Sequence, residues 1–127
     1  MGETTRHAGV KKIVIADARP LIALARIGQL ELLAQLFGTV TLTDLVALEI
    51  TDGGIFPDTN TLAKALTQSR LKTIILPEDT LEACRDWVNL HQINMSEASA
   101  LVLSSQHIAH GDKVLVIVDE NHGRQAD

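Results

Sequence analysis

Short aliphatic runs alternate with amphipathic segments along most of this chain. Four of these runs are only about four to six residues long and mostly aliphatic, which is typical of buried strands. Between them, apolar residues recur every three or four positions, as they do on one face of a helix. The predicted strands are 12–17, 39–42, 72–76 and 113–118, and the predicted helices are about 21–27, 29–37, 44–50, 59–69, 77–89 and 94–108.

This alternation predicts the fold class. Strands separated by helices form α/β domains, so we predict a three-layer α/β/α fold with a mostly parallel central sheet. Hydrophobic residues make up 46% of the chain and aromatic residues only 2%, so the core must be aliphatic, which suits parallel strands covered on both faces. The length of 127 residues fits one domain. We assign it to residues 11–127, after a flexible leader at residues 1–10.

The distribution of charge limits how the chain could bind nucleic acid. The formal net charge is -5, and no basic run is longer than Lys11-Lys12. Broad, sequence-independent binding normally needs a basic stripe. Any contact with nucleic acid would therefore have to be local.

The cysteine and hydropathy patterns indicate the compartment. A single cysteine, Cys84, excludes an internal disulfide and fits a reducing environment. No apolar stretch approaches the length of a membrane span, and residues 1–9 lack the apolar core of a signal peptide. We therefore expect a cytoplasmic protein that does not contact membranes.

Two acids follow directly on aliphatic strands. Asp17 ends the first predicted strand and Asp119 follows the last one, with Glu120 beside it as an accessory candidate. The carboxyl ends of parallel strands meet at one edge of a sheet, where open α/β domains bind their ligands. Asp17 and Asp119 are therefore candidate site residues. Each could equally be a polar residue that ends a strand and caps the next helix.

Glu49 is expected on an inward helix face. It lies three and four residues beyond Val46 and Leu45, and with Leu48 these residues form an apolar surround. An acid on a core-facing stripe rarely stays unpaired, because burial of a lone charge is unfavourable. The alternative is a Glu near the helix end that bends out to water or meets an arginine.

Glu97 is a fourth candidate acid. It begins a helical stripe that continues with Leu101, Ser104 and Ile108, which predicts a carboxylate at the start of a buried face. The alternative is a capping box, because Asn94 and Glu97 have the required spacing. The presence of the other three acids favours the site.

Carboxylates gathered from two strand ends and two helix faces would repel one another. Each close pair repels by about 4 kcal/mol at 4 Å and an effective dielectric constant of about 20. A divalent cation removes this repulsion, and all-oxygen ligands select Mg²⁺ or Mn²⁺ over zinc. Phosphoryl transfer is the usual chemistry of such sites. The predicted metal ligands and catalytic residues are Asp17, Glu49, Glu97 and Asp119.

With these acids in order, the sequence resembles the PIN-domain family, which includes toxins of bacterial and archaeal toxin–antitoxin pairs. The matching stretches are Ile13 to Leu24 with Ile27 to Leu33, Leu45 to Ile50, Ser96 to Leu101 and Val116 to Glu120. The resemblance implies an α/β/α nuclease in which Asp17, Glu49, Glu97 and Asp119 hold one or two Mg²⁺ or Mn²⁺ ions. Its implied activity is hydrolysis of RNA phosphodiester bonds. A small antitoxin and a homodimer are the implied protein partners.

The chain departs from the family pattern at four places. Ala18 and Arg19 follow the first acid, where a hydroxyl residue is common, and Ser96 replaces the usual glycine before the third acid. Glu120 stands where a second Asp often follows the fourth acid. Family domains also continue for another helix and strand, so we expect this chain to lack that last pair.

Two alternatives to a ribonuclease remain open. One is a catalytically degraded PIN-like module that acts through protein contacts, which the altered motif surroundings favour. The other is an aspartate-based phosphotransfer domain. Such folds are expected to have a lysine late in the chain, and no lysine follows Lys113, which counts against this alternative. Arg19 and Arg124 are candidate phosphate contacts, although their positions favour solvated surface arginines.

Overall fold

Four strands and six helices make up the part of the chain that the computed structural model describes, namely residues 11–52, 59–68 and 70–118. All ten predicted elements are present, with bounds that differ by no more than three residues. The strands are β1 (Lys12–Ala16), β2 (Val40–Thr43), β3 (Leu71–Ile74) and β4 (Lys113–Ile117). The helices are α1 (Ala18–Arg26), α2 (Glu31–Phe37), α3 (Asp44–Asp52), α4 (Thr59–Gln68), α5 (Glu78–His91) and α6 (Met95–Ala109).

The strands form one parallel sheet in the order β3-β2-β1-β4. In the pair of β1 and β4, Lys12 of β1 lies beside Lys113 of β4, and the register continues to Ala16 beside Ile117. All four strands therefore finish at the same end of the sheet, which we call the carboxyl edge. The prediction of a parallel sheet in an α/β/α fold is confirmed.

Alternate residues of β1 face two separate core layers. Val14 and Ala16 pack into a core with α1, α2, α3 and α4, whereas Ile13 and Ile15 pack into a second core with α5 and α6. This is the burial that a strand with side chains alternating between two covered faces requires. The sheet is thus the middle layer between two layers of helices.

The order of the strands creates a crevice at the carboxyl edge. The chain moves outward from β1 to β2 and β3, and then returns so that β4 lies on the other side of β1. The helices of the outward and return connections cover opposite faces of the sheet. Ligands of open α/β sheets bind where the direction of winding reverses, which here is between the carboxyl ends of β1 and β4.

Helix α3 stands at the carboxyl edge between the two helical layers. It begins directly after β2, and the hydroxyl oxygen of Thr43 accepts a hydrogen bond from the N–H of Val46 at 3.2 Å, so Thr43 caps it. Val46 and Ile50 pack with α1, and Leu45 packs with the second core. A residue on the inner side of α3 therefore faces both layers.

Two predicted segments fall largely outside the described residues. The predicted leader at residues 1–10 lies outside them. The Gly- and Pro-rich stretch 51–58 predicts a surface loop, and its residues 53–58 also lie outside them. Thr51 and Asp52, which we expected to begin that loop, are the last two residues of α3.

No single helix within the described ranges is long and apolar enough to cross a membrane. Helices α1 and α2 satisfy the length and composition criteria only when taken together, and they meet at an angle of 119°.

The burial of Cys84 gives a prediction about pH. Cys84 on α5 is 0% exposed, and desolvation raises the pKa of its thiol above the ordinary value of 9.0, with Arg85 opposing the rise and Asp44 adding to it. The unfolded chain should lose the thiol proton first as the pH rises, so the free energy of unfolding should decrease above about pH 9. We expect urea denaturation to show a smaller decrease between pH 8 and pH 10 in Cys84→Ala.

Thiol labelling provides an independent check. At pH 8 the native protein should react with a thiol reagent only as fast as it unfolds, because a buried thiol is inert. The denatured protein is the positive control. Rapid labelling of the native protein would contradict the buried position.

Candidate active site

Asp17 lies at the carboxyl edge, directly after β1. Its Oδ1 accepts a hydrogen bond from the N–H of Ala18 at 2.8 Å, and it is the N-cap of α1. Its own backbone N–H donates to the carbonyl oxygen of Ile117 at the end of β4, at 2.9 Å. Asp17 is only 5% exposed. It is therefore both a helix cap and a buried acid at the point where the winding of the sheet reverses.

Glu49 lies on the half-buried side of α3 and is paired through its carboxylate. Its Oε2 accepts a hydrogen bond from the hydroxyl of Ser96, the second residue of α6, at 2.5 Å. The expectation that Leu48 shares the apolar surround was wrong, because Leu48 is 58% exposed. Two residues correspond to about 200° around a helix, so Leu48 lies opposite Val46, which is buried.

Glu97 is half-buried in the first turn of α6. The capping alternative is confirmed in its first half, because Oδ1 of Asn94 accepts a hydrogen bond from the N–H of Glu97 at 2.7 Å. The predicted stripe is wrong at its far end, where Ile108 is 60% exposed, although Ser104 is buried. Glu97 thus borders the buried face of α6 and does not lie in the middle of it.

A chain of hydroxyl groups joins β2 to the start of α6. Ser99 donates to the carbonyl oxygen of Ser96 at 2.6 Å, so the 2.6 Å contact between Thr43 and Ser99 must use the proton of Thr43. Thr43 in turn accepts from Val46, as described above. Each hydroxyl has a single proton, and each has one acceptor, so the direction of the whole chain is determined. Thr43 and Ser99 are both 0% exposed.

Glu49 lies close to residues that neighbour two other predicted acids, Asp17 and Glu97. Glu49 is bonded to Ser96, the residue before Glu97, and it lines a cleft with Arg19, which follows Asp17 by two positions. Within the described residues, however, no three His, Cys, Asp or Glu side chains form a group that could hold a metal ion. Asp119, Glu120 and Arg124 lie outside the described residues.

An arginine that the sequence analysis did not single out lies on the same cleft. The cleft has a volume of about 380 Å³ and lies between α1 and α3, and its lining includes Arg19, Arg26 and Glu49. Arg19 and Arg26 are both exposed. Their spacing of seven residues could have revealed the pair, because residues seven apart share a face of a helix.

His107, near the end of α6, contacts a different region. His107 Nδ1 lies 2.9 Å from Oδ2 of Asp112, in the turn that leads into β4. This turn is at the end of the sheet opposite the carboxyl edge, where β4 begins. The pair fixes the turn between α6 and β4.

Comparison with known families identifies the fold. A family model described as a PIN domain matches residues 13–126. The chain belongs to the PIN-domain family. The match includes all four predicted acids, and no curated protein matches the chain.

Membership in the PIN family carries a nuclease-type fold with it. It decides against the phosphotransfer alternative, which would place the chain among other α/β domains. The departure at Ser96 acquires a structural meaning, since its hydroxyl bonds to Glu49. The departure at Ala18 is a fully buried alanine whose N–H bonds to Asp17.

The hydroxyl chain gives a prediction about stability. In Thr43→Val, the N–H of Val46 and the oxygen of Ser99 each lose a partner while the side-chain shape is retained. Unsatisfied buried groups cost about 1–3 kcal/mol, so the free energy of unfolding should decrease by about that amount in urea denaturation.

A substitution at a second threonine tests whether the effect is specific to the hydroxyl of Thr43. Thr51→Val removes a threonine hydroxyl that bonds only to the carbonyl oxygen of Ala47 within the same helix. It should decrease the free energy of unfolding by less than Thr43→Val does. Equal losses in the two variants would contradict a special role for the hydroxyl chain.

Proposed function

We propose that the protein is a Mg²⁺- or Mn²⁺-dependent endoribonuclease. The observation that carries the proposal is the position of Glu49, which bonds to the residue before Glu97 and shares a cleft with Arg19 near Asp17. Residues next to Asp17 and Glu97 thus lie close to Glu49 at the carboxyl edge. Open α/β sheets bind their ligands at this edge. The nuclease-type fold supports the same conclusion.

The chemistry of the four acids fits a hard divalent cation. Asp17, Glu49, Glu97 and Asp119 offer only carboxylate oxygens, which suit Mg²⁺ and Mn²⁺. We propose that these four residues hold the metal. When bound, such an ion would activate water and offset the negative charge that develops on a phosphate. Asp17 orients the start of α1 as its N-cap, and Ser96 orients Glu49.

The proposed substrate is an RNA strand that contacts the cleft between α1 and α3. A chain of net charge -5 attracts RNA weakly overall, so local cations must position the phosphates. Arg19 and Arg26 provide two guanidinium groups on the cleft that Glu49 lines. Arginine is suited to this role because its planar fork can bond to two phosphate oxygens at once. Arg124 remains a further proposed contact.

The proposed biological setting is that of a toxin in a toxin–antitoxin pair. A small antitoxin would then be the partner that silences the nuclease, and a homodimer is the other proposed assembly. The second candidate function is a PIN-like module that acts through protein contacts without catalysis. It is favoured by the altered surroundings of the acids, namely Ala18 and Arg19 after Asp17 and Ser96 before Glu97.

The first experiment tests the acids. Purified protein should cleave structured RNA in the presence of Mn²⁺ or Mg²⁺, and Asp17→Asn and Glu49→Gln should each lower the rate by about a hundredfold or more. This magnitude follows because bound metal contributes several kcal/mol to transition-state stabilisation. Gel-based cleavage of labelled RNA measures the rates.

Two other acids provide matched controls. Asp79 accepts a hydrogen bond from the N–H of the next residue at 2.8 Å, as Asp17 does, but it is exposed on α5. Asp52 is exposed one turn beyond Glu49 on α3. Asp79→Asn and Asp52→Asn should retain activity. Cleavage that survives both Asp17→Asn and Glu49→Gln would refute the mechanism, and no cleavage with no metal binding would favour the interaction module.

The second experiment tests the arginines. Arg26→Ala should raise KM for RNA about 10–150-fold with little change in kcat, because a charge-assisted hydrogen bond contributes about 1.5–3 kcal/mol. The dependence of binding on salt should also weaken by about one ion. Cleavage rates at a series of RNA concentrations give KM and kcat, and fluorescence anisotropy with labelled RNA measures the salt dependence of binding.

Arg85 is the matched control for Arg26. It is an exposed arginine on α5, paired with Glu78 at 3.5 Å, and it belongs to the opposite helical layer. Arg85→Ala should leave KM unchanged, because Arg85 does not line the cleft. Its exposed ion pair contributes little to stability, so the fold should also be retained. If both substitutions weaken RNA binding equally, the cleft is not the binding surface.

A further inference from the structure

We propose that Ser96 is a positioning residue that holds the Glu49 carboxylate in place for metal binding. The inference rests on the proposed function, because it assigns a role to a residue beside the proposed ligands. The inference also gives a role to Ser96, which stands where the sequence departs from the family pattern.

The hydrogen bond between Ser96 and Glu49 has the geometry of a strong contact. The distance of 2.5 Å from Oγ of Ser96 to Oε2 of Glu49 is in the range of a hydroxyl bonded to a charged carboxylate. Ser96 is only 7% exposed, so water competes little for this bond. Because the donor bonds to one oxygen of the carboxylate, it fixes the orientation of the other oxygen as well.

A second acceptor lies near the same hydroxyl. Oδ1 of Asn94 is 2.9 Å from Oγ of Ser96, and it already accepts the N–H of Glu97 at 2.7 Å. A serine hydroxyl has only one proton. The shorter distance and the negative charge of its acceptor favour the bond to Glu49. Asn94 then holds the first turn of α6, from which Ser96 reaches Glu49.

The backbone of Ser96 is anchored independently of its side chain. Its carbonyl oxygen accepts the proton of Ser99, which in turn accepts the proton of Thr43 at the end of β2. Ser96 is therefore connected to both the sheet and α3. Loss of its hydroxyl should free the Glu49 side chain while leaving the hydroxyl chain through Thr43 intact.

This arrangement has a measurable consequence for metal affinity. Removal of a group that orients a metal ligand typically weakens metal affinity about 10–100-fold. Ser96→Ala should therefore bind Mn²⁺ about 10–100-fold more weakly than the wild-type protein, as measured by isothermal titration calorimetry in the absence of RNA. The melting temperature without metal is recorded in parallel, and it reports the structural effect of each substitution.

Two variants separate positioning from structure. Ser104 is also buried on α6, and its hydroxyl bonds only to the carbonyl oxygen of Ala100 in the same helix at 2.7 Å. Ser104→Ala should retain wild-type Mn²⁺ affinity within about twofold. Ser96→Thr keeps the hydroxyl and should bind Mn²⁺ more tightly than Ser96→Ala.

The possible results distinguish failure of the inference from failure of the proposed function. If the wild-type protein binds Mn²⁺ and Ser96→Ala binds it equally well, the positioning role is refuted while the nuclease proposal stands. Equal weakening in Ser96→Ala and Ser104→Ala, or a Ser96→Thr variant as weak as Ser96→Ala, also overturns the role. Absence of Mn²⁺ binding by the wild-type protein would overturn the metal-dependent mechanism itself.

Discussion

The position of helix α3 depends on the chain of hydroxyl groups that runs from β2 to the first turn of α6. Thr43 caps α3, and through Ser99 and the carbonyl oxygen of Ser96 it connects that helix to α6. Each group is buried, so an unmade bond would leave a desolvated donor or acceptor. The bonds therefore favour one arrangement of α3 over nearby ones. Glu49 lies where it does because α3 is held in this arrangement.

The sheet provides the complementary constraint. Since β4 returns to the side of β1, the backbone N–H of Asp17 can bond to the end of β4, and Asp17 is held where the strands finish. A buried carboxylate would be unfavourable at most positions in a core. At the carboxyl edge it accepts the N–H that begins α1. The same local bond thus stabilises the helix and keeps an acid at the edge where open α/β sheets bind their ligands.

The sequence was sufficient to predict most of the fold, and only part of the candidate site. Aliphatic runs, caps and glycines mark the elements locally, which is why the position of Asp17 at a strand end was predictable. The bond between Ser96 and Glu49 joins residues 47 positions apart, and that between Thr43 and Ser99 spans 56. Such contacts depend on how α3 packs against α6, which no local pattern encodes. Leu48 was assigned to the apolar surround of Glu49 although the helical period places it about 200° from Val46, on the other side of α3.

The negative charge of the acids at the carboxyl edge must be compensated before RNA can bind there. The net charge is -5, and the proposed site adds acids at the place where a phosphate would have to approach. Without compensation these acids would repel RNA as well as each other. Arg19 and Arg26 offset part of that charge on the α1 side of the cleft, and a divalent cation would offset it at the acids. A carboxylate held by Ser96 suits such a cation better than a mobile one, because its orientation is set before the metal binds.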